Sequence, residues 1–223
     1  AEGAALCYRT ICTEGAARLG AHAHPEVSMH THSMADYVRC LQNGDIAGVG
    51  ELMLSSARKL ERAGAEFLIC PDNTIHQAFA YVAERSPLPW LNIAAVVVLE
   101  AARHGFTSVG LTGTSWLVNS AVYPEQLDAF GIECVRPSVN DLETMNHFIM
   151  DELVNGATTP SCVAFFHSVI AQFEAQDCDA VVLGCTEIPL VVTDATSPLP
   201  TLDSTRLLAR AALDRAIGEG RYS

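Results

Sequence analysis

Short apolar runs alternate with stretches of helical periodicity along nearly the whole 223-residue chain, and this alternation constrains the fold more than any other feature. Residues 46–63 set Val49, Leu52, Met53, Ala57, Leu60 and Ala63 on one helical stripe, Gly64 stops the helix, and Phe67-Leu68-Ile69-Cys70 follows as a buried strand. The same reading predicts a helix over 73–85, broken by Pro87 and Pro89, then a strand over 90–94 and a helix over 96–104. A strand over 107–111, helices over 120–130, 141–154 and 161–176, strands over 132–135 and 179–183, and a last helix over 203–218 complete it. Strands that take turns with helices build parallel sheets covered on both faces. The expected fold is α/β, with two similar parallel-sheet lobes related by a pseudo-twofold axis and a site in the cleft between them. The first lobe is expected over 1–92, also receiving the C-terminal helix 203–223, and the second over 93–202.

The pseudo-symmetry rests on an internal repeat. The stretch from Glu66 through Asp72 to Thr74 can be laid on the stretch from Asp179 through Cys185 to Glu187, 113 residues later. In each, a helix leads to an apolar strand, a breaker, and a reactive side chain that opens the next helix. Ligands of open α/β sheets bind at the carboxyl ends of strands, which is where Asp72 and Cys185 fall. A cysteine there is either a small buried apolar residue or a thiol at a helix start, where backbone N–H groups favour a thiolate.

Composition removes several classes of function. With 49% apolar and 17% charged residues the chain is globular, and its longest apolar run, 91–99, is too short to span a bilayer. No basic segment followed by an apolar one opens it, so no secretory signal is read. A net charge of −13 repels phosphate backbones, so neither nucleic acid nor a membrane is an expected partner. Eight cysteines without a CxxC pair read as reduced thiols in a cytoplasmic protein. The single lysine, Lys59, lies beside Arg58 and Arg62 on the polar face of its helix, which leaves pyridoxal phosphate without a Schiff-base partner. Glycine-rich dinucleotide and P-loop motifs are also missing, so no cofactor is expected. His22, His24, His30 and His32 lack the cysteine or carboxylate set that completes a metal site, so no metal is expected. His32, with His30, is expected to border the pocket instead.

Two stretches, Leu183-Gly184-Cys185-Thr186-Glu187-Ile188-Pro189-Leu190-Val191-Val192 and Ile69-Cys70-Pro71-Asp72-Asn73-Thr74-Ile75-His76, resemble the two signatures of the aspartate/glutamate racemase superfamily. Further counterparts lie at Glu2 with Tyr8-Arg9, at Arg18-Leu19-Gly20, at 110–114, at 152–156 and at 203–206, so the resemblance covers most of the chain. It implies a cofactor-independent racemase or epimerase acting at the α-carbon of an amino acid or related small carboxylic acid, as a homodimer. Asp72 and Cys185 would be the acid/base pair, with Asn73, Thr74, Thr114 and Thr186 around the substrate carboxylate. His76 would orient a substrate group or satisfy its loop, and Glu187 is read as an acid in a helix's first turn. The sequence departs from the resemblance in three ways. The opening strand and Gly-Gly loop would precede Ala1. Asp72 stands where relatives carry the first cysteine, with Cys70 as the alternative partner. Asn155-Gly156-Ala157 stands where many relatives carry a basic residue, which speaks against a dicarboxylic substrate. At neutral pH an ordinary Asp is ionised and an ordinary Cys protonated, so Asp72 is the expected base and Cys185 the expected acid. A decarboxylase or other isomerase using Cys185 as proton donor, and a non-catalytic binder of small acids, are the alternatives.

Overall fold

The computed structural model describes residues 2–218. Its first half is mainly helical, with α1 (Glu2–Leu19), α2 (Met34–Gln42), α3 (Ile46–Arg62), α4 (Phe79–Ala83) and α5 (Ile93–Arg103). The second half alternates: β1 (Ser108–Thr112), α6 (Ser115–Val118), α7 (Pro124–Asp128), β2 (Glu133–Val135), α8 (Val139–His147), α9 (Pro160–Glu174), β3 (Ala180–Leu183), β4 (Thr201–Asp203) and α10 (Ser204–Ala216). The four strands form one parallel sheet in the order β2-β1-β3-β4. At its carboxyl end Thr112 pairs with Leu183, and Leu183 with Asp203.

Alternation along the strands divides the core between two faces. Val109, Leu111, Ala180 and Val182 pack with α1, α5 and α10, while Val181 and Leu183 pack with Phe166, Ile170 and Phe173 of α9. A smaller cluster built on Val49, Met53 and Leu54 joins α3 to Leu41 of α2 and Val82 of α4. Helix α10 lies against both α1 and α5. Arg18 pairs with the buried Asp214 at 2.6 Å and Arg210 with Glu14 at 3.0 Å, fastening α1 to α10. Residues 219–223 of the expected C-terminal helix lie outside the described residues, as does Ala1. No helix among the described residues is long and apolar enough to cross a membrane.

The parallel α/β architecture and its two-lobed arrangement follow the sequence pattern, but the lobes differ in how much sheet they carry. In the first, the expected strands 67–70 and 90–94 shrink to one parallel bridge between Leu68 and Trp90. Leu68 N–H donates to the Pro89 carbonyl at 2.9 Å and Leu91 N–H to the Leu68 carbonyl at 3.0 Å. Among the described residues no further strand extends that ladder. The Asn92 side chain then accepts from the N–H groups of Ala94 and Ala95, so the apolar run turns into α5 at Ile93 rather than continuing as strand. The helix expected over 73–85 begins as a 3-10 turn, Thr74–Ala78, before α4. The one expected over 120–130 is confined to α7, which Pro124 opens. The one over 141–154 starts earlier, at a Ser138 cap, and passes through a π-helical turn, Phe148–Glu152.

The repeat survives these differences. Helix α3, the Leu68 bridge, the Asp72 turn, a 3-10 turn, Trp90 and α5 are echoed by α9, β3, the Cys185 turn, a second 3-10 turn (Ile188–Leu190), β4 and α10.

Candidate active site

Pro71 ends the extended run after Cys70, and Asp72 folds the chain over itself. Its Oδ1 accepts from the N–H of Thr74 at 2.9 Å and that of Ile75 at 3.4 Å, a turn that aspartate forms readily. His76 braces this turn from behind. Its Nε2 accepts the Ile93 N–H at 3.3 Å, so Nδ1 carries the proton and donates to the Asp72 carbonyl at 2.7 Å. Burial lowers the His76 pKa to about 4, which keeps the ring neutral. The Asp72 side chain keeps accessible surface, yet protein atoms surround it closely enough for desolvation to raise its pKa. The two backbone hydrogen bonds oppose that rise, and the nearby charge of Glu187 adds to it.

The second turn depends on Gly184. Its N–H donates to the Thr112 carbonyl at 3.0 Å, and a Cβ at this position would lie 2.4 Å from that oxygen. Only glycine lets the strand end come so close to β1. Cys185 then directs its Sγ–H to Glu187 Oε2 at 3.1 Å, and Thr186 Oγ1 donates to the same oxygen at 2.7 Å. Desolvation raises the Cys185 pKa well above that of a free thiol, and Glu187 and Asp72 push it further the same way. The hydroxyl-bearing Thr186 packs directly on α1, where a Cβ added to Gly3 would fall 2.1 Å from Thr186 Cβ.

Asp72 and Cys185 line one cavity of about 500 Å³, together with Asn73, Thr74, Thr114, Thr186 and Glu187. Thr74 and Thr114 join their hydroxyls at 2.9 Å, and Thr114 also caps α6 by accepting from the Leu117 N–H. His32 lines the cavity with its Nε2 buried and without a partner, and its ring meets that of His30 edge-on at 4.8 Å. His30 is held from behind by Ser56 at 3.0 Å and Lys59 at 2.8 Å. Cys70 reaches the cavity as well, and burial pushes its thiol up to about 12. His76 is not among the lining residues; both its ring nitrogens are engaged within the protein. The Asn73 amide also points into the interior, accepting from the Tyr123 hydroxyl and donating to Ser204. Val154 lines the cavity, while Asn155 folds back to the Asp151 carbonyl. Among the described residues no lysine or arginine lines the cavity, and no group of three or more His, Cys, Asp or Glu side chains could hold a metal.

Sequence reasoning passed over two residues. Glu187, read as an acid in a helix's first turn, is instead 9% exposed and makes no cap; it accepts hydrogen bonds from the Cys185 thiol and the Thr186 hydroxyl. Its place two residues after the cysteine was the available signal. Tyr37 had none: burial, with the charges of Cys70 and Asp72, pushes its phenol up to about 12 at the cavity wall.

The family model for Asp/Glu/Hydantoin racemase matches residues 2–212. The chain belongs to this family. A broad specificity amino-acid racemase, RacX of Bacillus subtilis (strain 168), is 23% identical over 72% of this chain and 69% of its own. A crystal structure assigned as an Asp/Glu racemase from Yersinia pestis is 28% identical, with a TM-score of 0.87 over 97% of this chain and 94% of that one. PH1733, an aspartate racemase homologue from Pyrococcus horikoshii OT3, gives 0.82 over the same shares at 24% identity, a likeness of fold. Racemase-family membership thus joins a cavity lined by one carboxylate turn and one thiol turn.

Proposed function

We propose that this chain is a cofactor-independent racemase or epimerase that moves a proton at a carbon next to a carboxylate, with Asp72 and Cys185 as the acid/base pair. The observation that carries the reading is that these two side chains, at matching turns of the two repeats, line the same cavity. Asp72 takes the α-proton from one face while the Cys185 thiol delivers its proton to the other, leaving a carboxylic acid and a thiolate. The reverse substrate resets both. The desolvation that raises the proton affinity of Asp72 helps a carboxylate compete for a carbon-bound proton. Glu187 holds the thiol in its protonated, donating form. The Thr74–Thr114 hydroxyl pair has one proton left to donate to the charge that develops on the substrate carboxylate, Thr186 joins it when its hydroxyl turns away from Glu187, and His32 meets the side group.

Unequal partners favour one direction. Among the described residues no lysine or arginine lines the cavity to hold a second carboxylate on the side group, which supports a monocarboxylic amino acid or a related acid as substrate. The same asymmetry favours a second reading, decarboxylation, in which Cys185 alone protonates the carbanion; carbon dioxide release from malonate-type acids would identify it. The decisive test is a panel of small chiral acids in deuterated buffer. Wild type should exchange the α-hydrogen of at least one acid, faster from one enantiomer, and Asp72→Ala and Cys185→Ser should each lose that exchange. Equal exchange from both enantiomers, or full exchange in either variant, would overturn the assignment.

A further inference from the structure

A chain of three buried hydrogen bonds runs between the two turns behind the cavity wall, and of its members Asn73 also lines the cavity. The Tyr123 hydroxyl donates to Asn73 Oδ1 at 2.6 Å, Asn73 Nδ2 donates to Ser204 Oγ at 2.9 Å, and Ser204 Oγ donates to the Leu183 carbonyl at 2.8 Å. Asn73 is 2% exposed, and Tyr123 and Ser204 are 0% exposed. A serine hydroxyl has one proton; given to Leu183, it leaves Ser204 only its lone pairs for Asn73, so the direction of the chain is set. Asn73 directly follows Asp72. Leu183 ends β3 two residues before Cys185, and Ser204 opens α10 just after β4, whose Asp203 pairs with Leu183. The link therefore joins the carboxylate turn to the strand end that carries the thiol.

We infer that Asn73 is a positioning residue which, through Ser204, fixes the gap between Asp72 and Cys185; this rests on the proposed reaction for its catalytic consequence. A side chain that has committed its oxygen and one of its two amide hydrogens to buried partners has a single N–H left for a ligand. Its turn is held independently by His76 against α5, so losing the Asn73 link should shift the turn rather than unravel it. Displacing a reacting group by about 1 Å costs on the order of a hundredfold in rate, so partial loosening should cost about tenfold.

The test compares wild type with Asn73→Ala, Ser204→Ala, their double variant, and Asn92→Ala, which uncaps α5 outside the chain of bonds. Peptide-resolved alkylation of Cys185 by iodoacetamide reads the strand end; α-hydrogen exchange reads the chemistry. Each single variant should speed Cys185 alkylation several-fold, the double no more than the larger single, and Asn92→Ala not at all. In exchange, kcat should fall about tenfold with KM within about twofold. An unchanged alkylation rate, multiplying effects in the double, an equal rise in Asn92→Ala, or a loss confined to KM would overturn the inference. Ser204→Ala leaves the Asn73 amide in place and decides alone if Asn73→Ala does not fold. A wild type that exchanges no acid would remove the proposed reaction, and the alkylation pattern would still decide the link.

Discussion

Replacing Gly184 by alanine sets a Cβ 2.4 Å from the Thr112 carbonyl oxygen and 2.7 Å from Leu117 Cδ2, where real Cβ atoms essentially never come under 3.0 Å. The leucine methyl can swing aside. The Thr112 carbonyl cannot, because it is backbone held in register against Leu183 of β3 and bonded to the Gly184 N–H. The turn bearing Cys185 must therefore yield by about half an ångström or more, since a close-packed interior has no room to absorb the difference. Overpacking of this kind costs about 1–3 kcal/mol, and each kcal/mol lowers Tm by about 2–4 °C in a chain of this length. The same displacement, applied to a reacting thiol, should slow exchange by about tenfold. Gly110→Ala is the control, because its Cβ would press on the Phe173 ring at 2.4 Å inside the same sheet but away from the cavity. Thermal unfolding and α-hydrogen exchange should show similar stability losses in the two variants and a rate loss in Gly184→Ala alone. If Gly184→Ala exchanges within twofold of Gly110→Ala, the close backbone approach does not position Cys185.

His76, at about 4 in the folded protein against an ordinary 6.5, contributes stability above pH 6.5 that is lost as pH falls toward 4, about 3 kcal/mol in all. Urea unfolding across that window should show the loss, and His76→Gln should flatten it; an unchanged slope would count against a buried neutral ring. Asp72 has the opposite sign, its folded pKa being raised: its contribution is full below its unfolded pKa and vanishes as pH rises through the folded one. Asp72→Asn should accordingly melt higher than wild type at neutral pH, and a lower Tm would refute the desolvation argument. Glu187→Gln removes the carboxylate that raises the Cys185 pKa, so the midpoint of Cys185 alkylation should move to lower pH. A midpoint that stays put would mean that Glu187 does not hold the thiol protonated.

Much of the site was legible because it is local. Asp72 caps its own turn through N–H groups two and three residues on, and Cys185, Thr186 and Glu187 meet within three consecutive positions. Of the helices read in the second half, those over 161–176 and 203–218 correspond to α9 and α10, whose first turns the Thr159 and Asp203 side chains cap. The expected strand over 90–94 gives way to α5 because a competing local signal wins there. Asn92 was an evident cap inside an apolar run that reads equally well as strand or buried helix.

The amino-acid order by itself determined the alternating α/β pattern, the paired turns 113 residues apart, and the carboxyl and thiol side chains that those turns carry. Each of these depends on interactions that span a few residues, where periodicity and capping act. Only the tertiary structure decided that Leu68 keeps a single bridge partner, that His76 reaches Ile93, and that Asn73 meets Ser204 across 131 positions. Strand pairing and buried polar contacts need a partner from elsewhere in the chain. Which partner arrives depends on how whole faces of helix and sheet pack, and no short window of sequence contains that information.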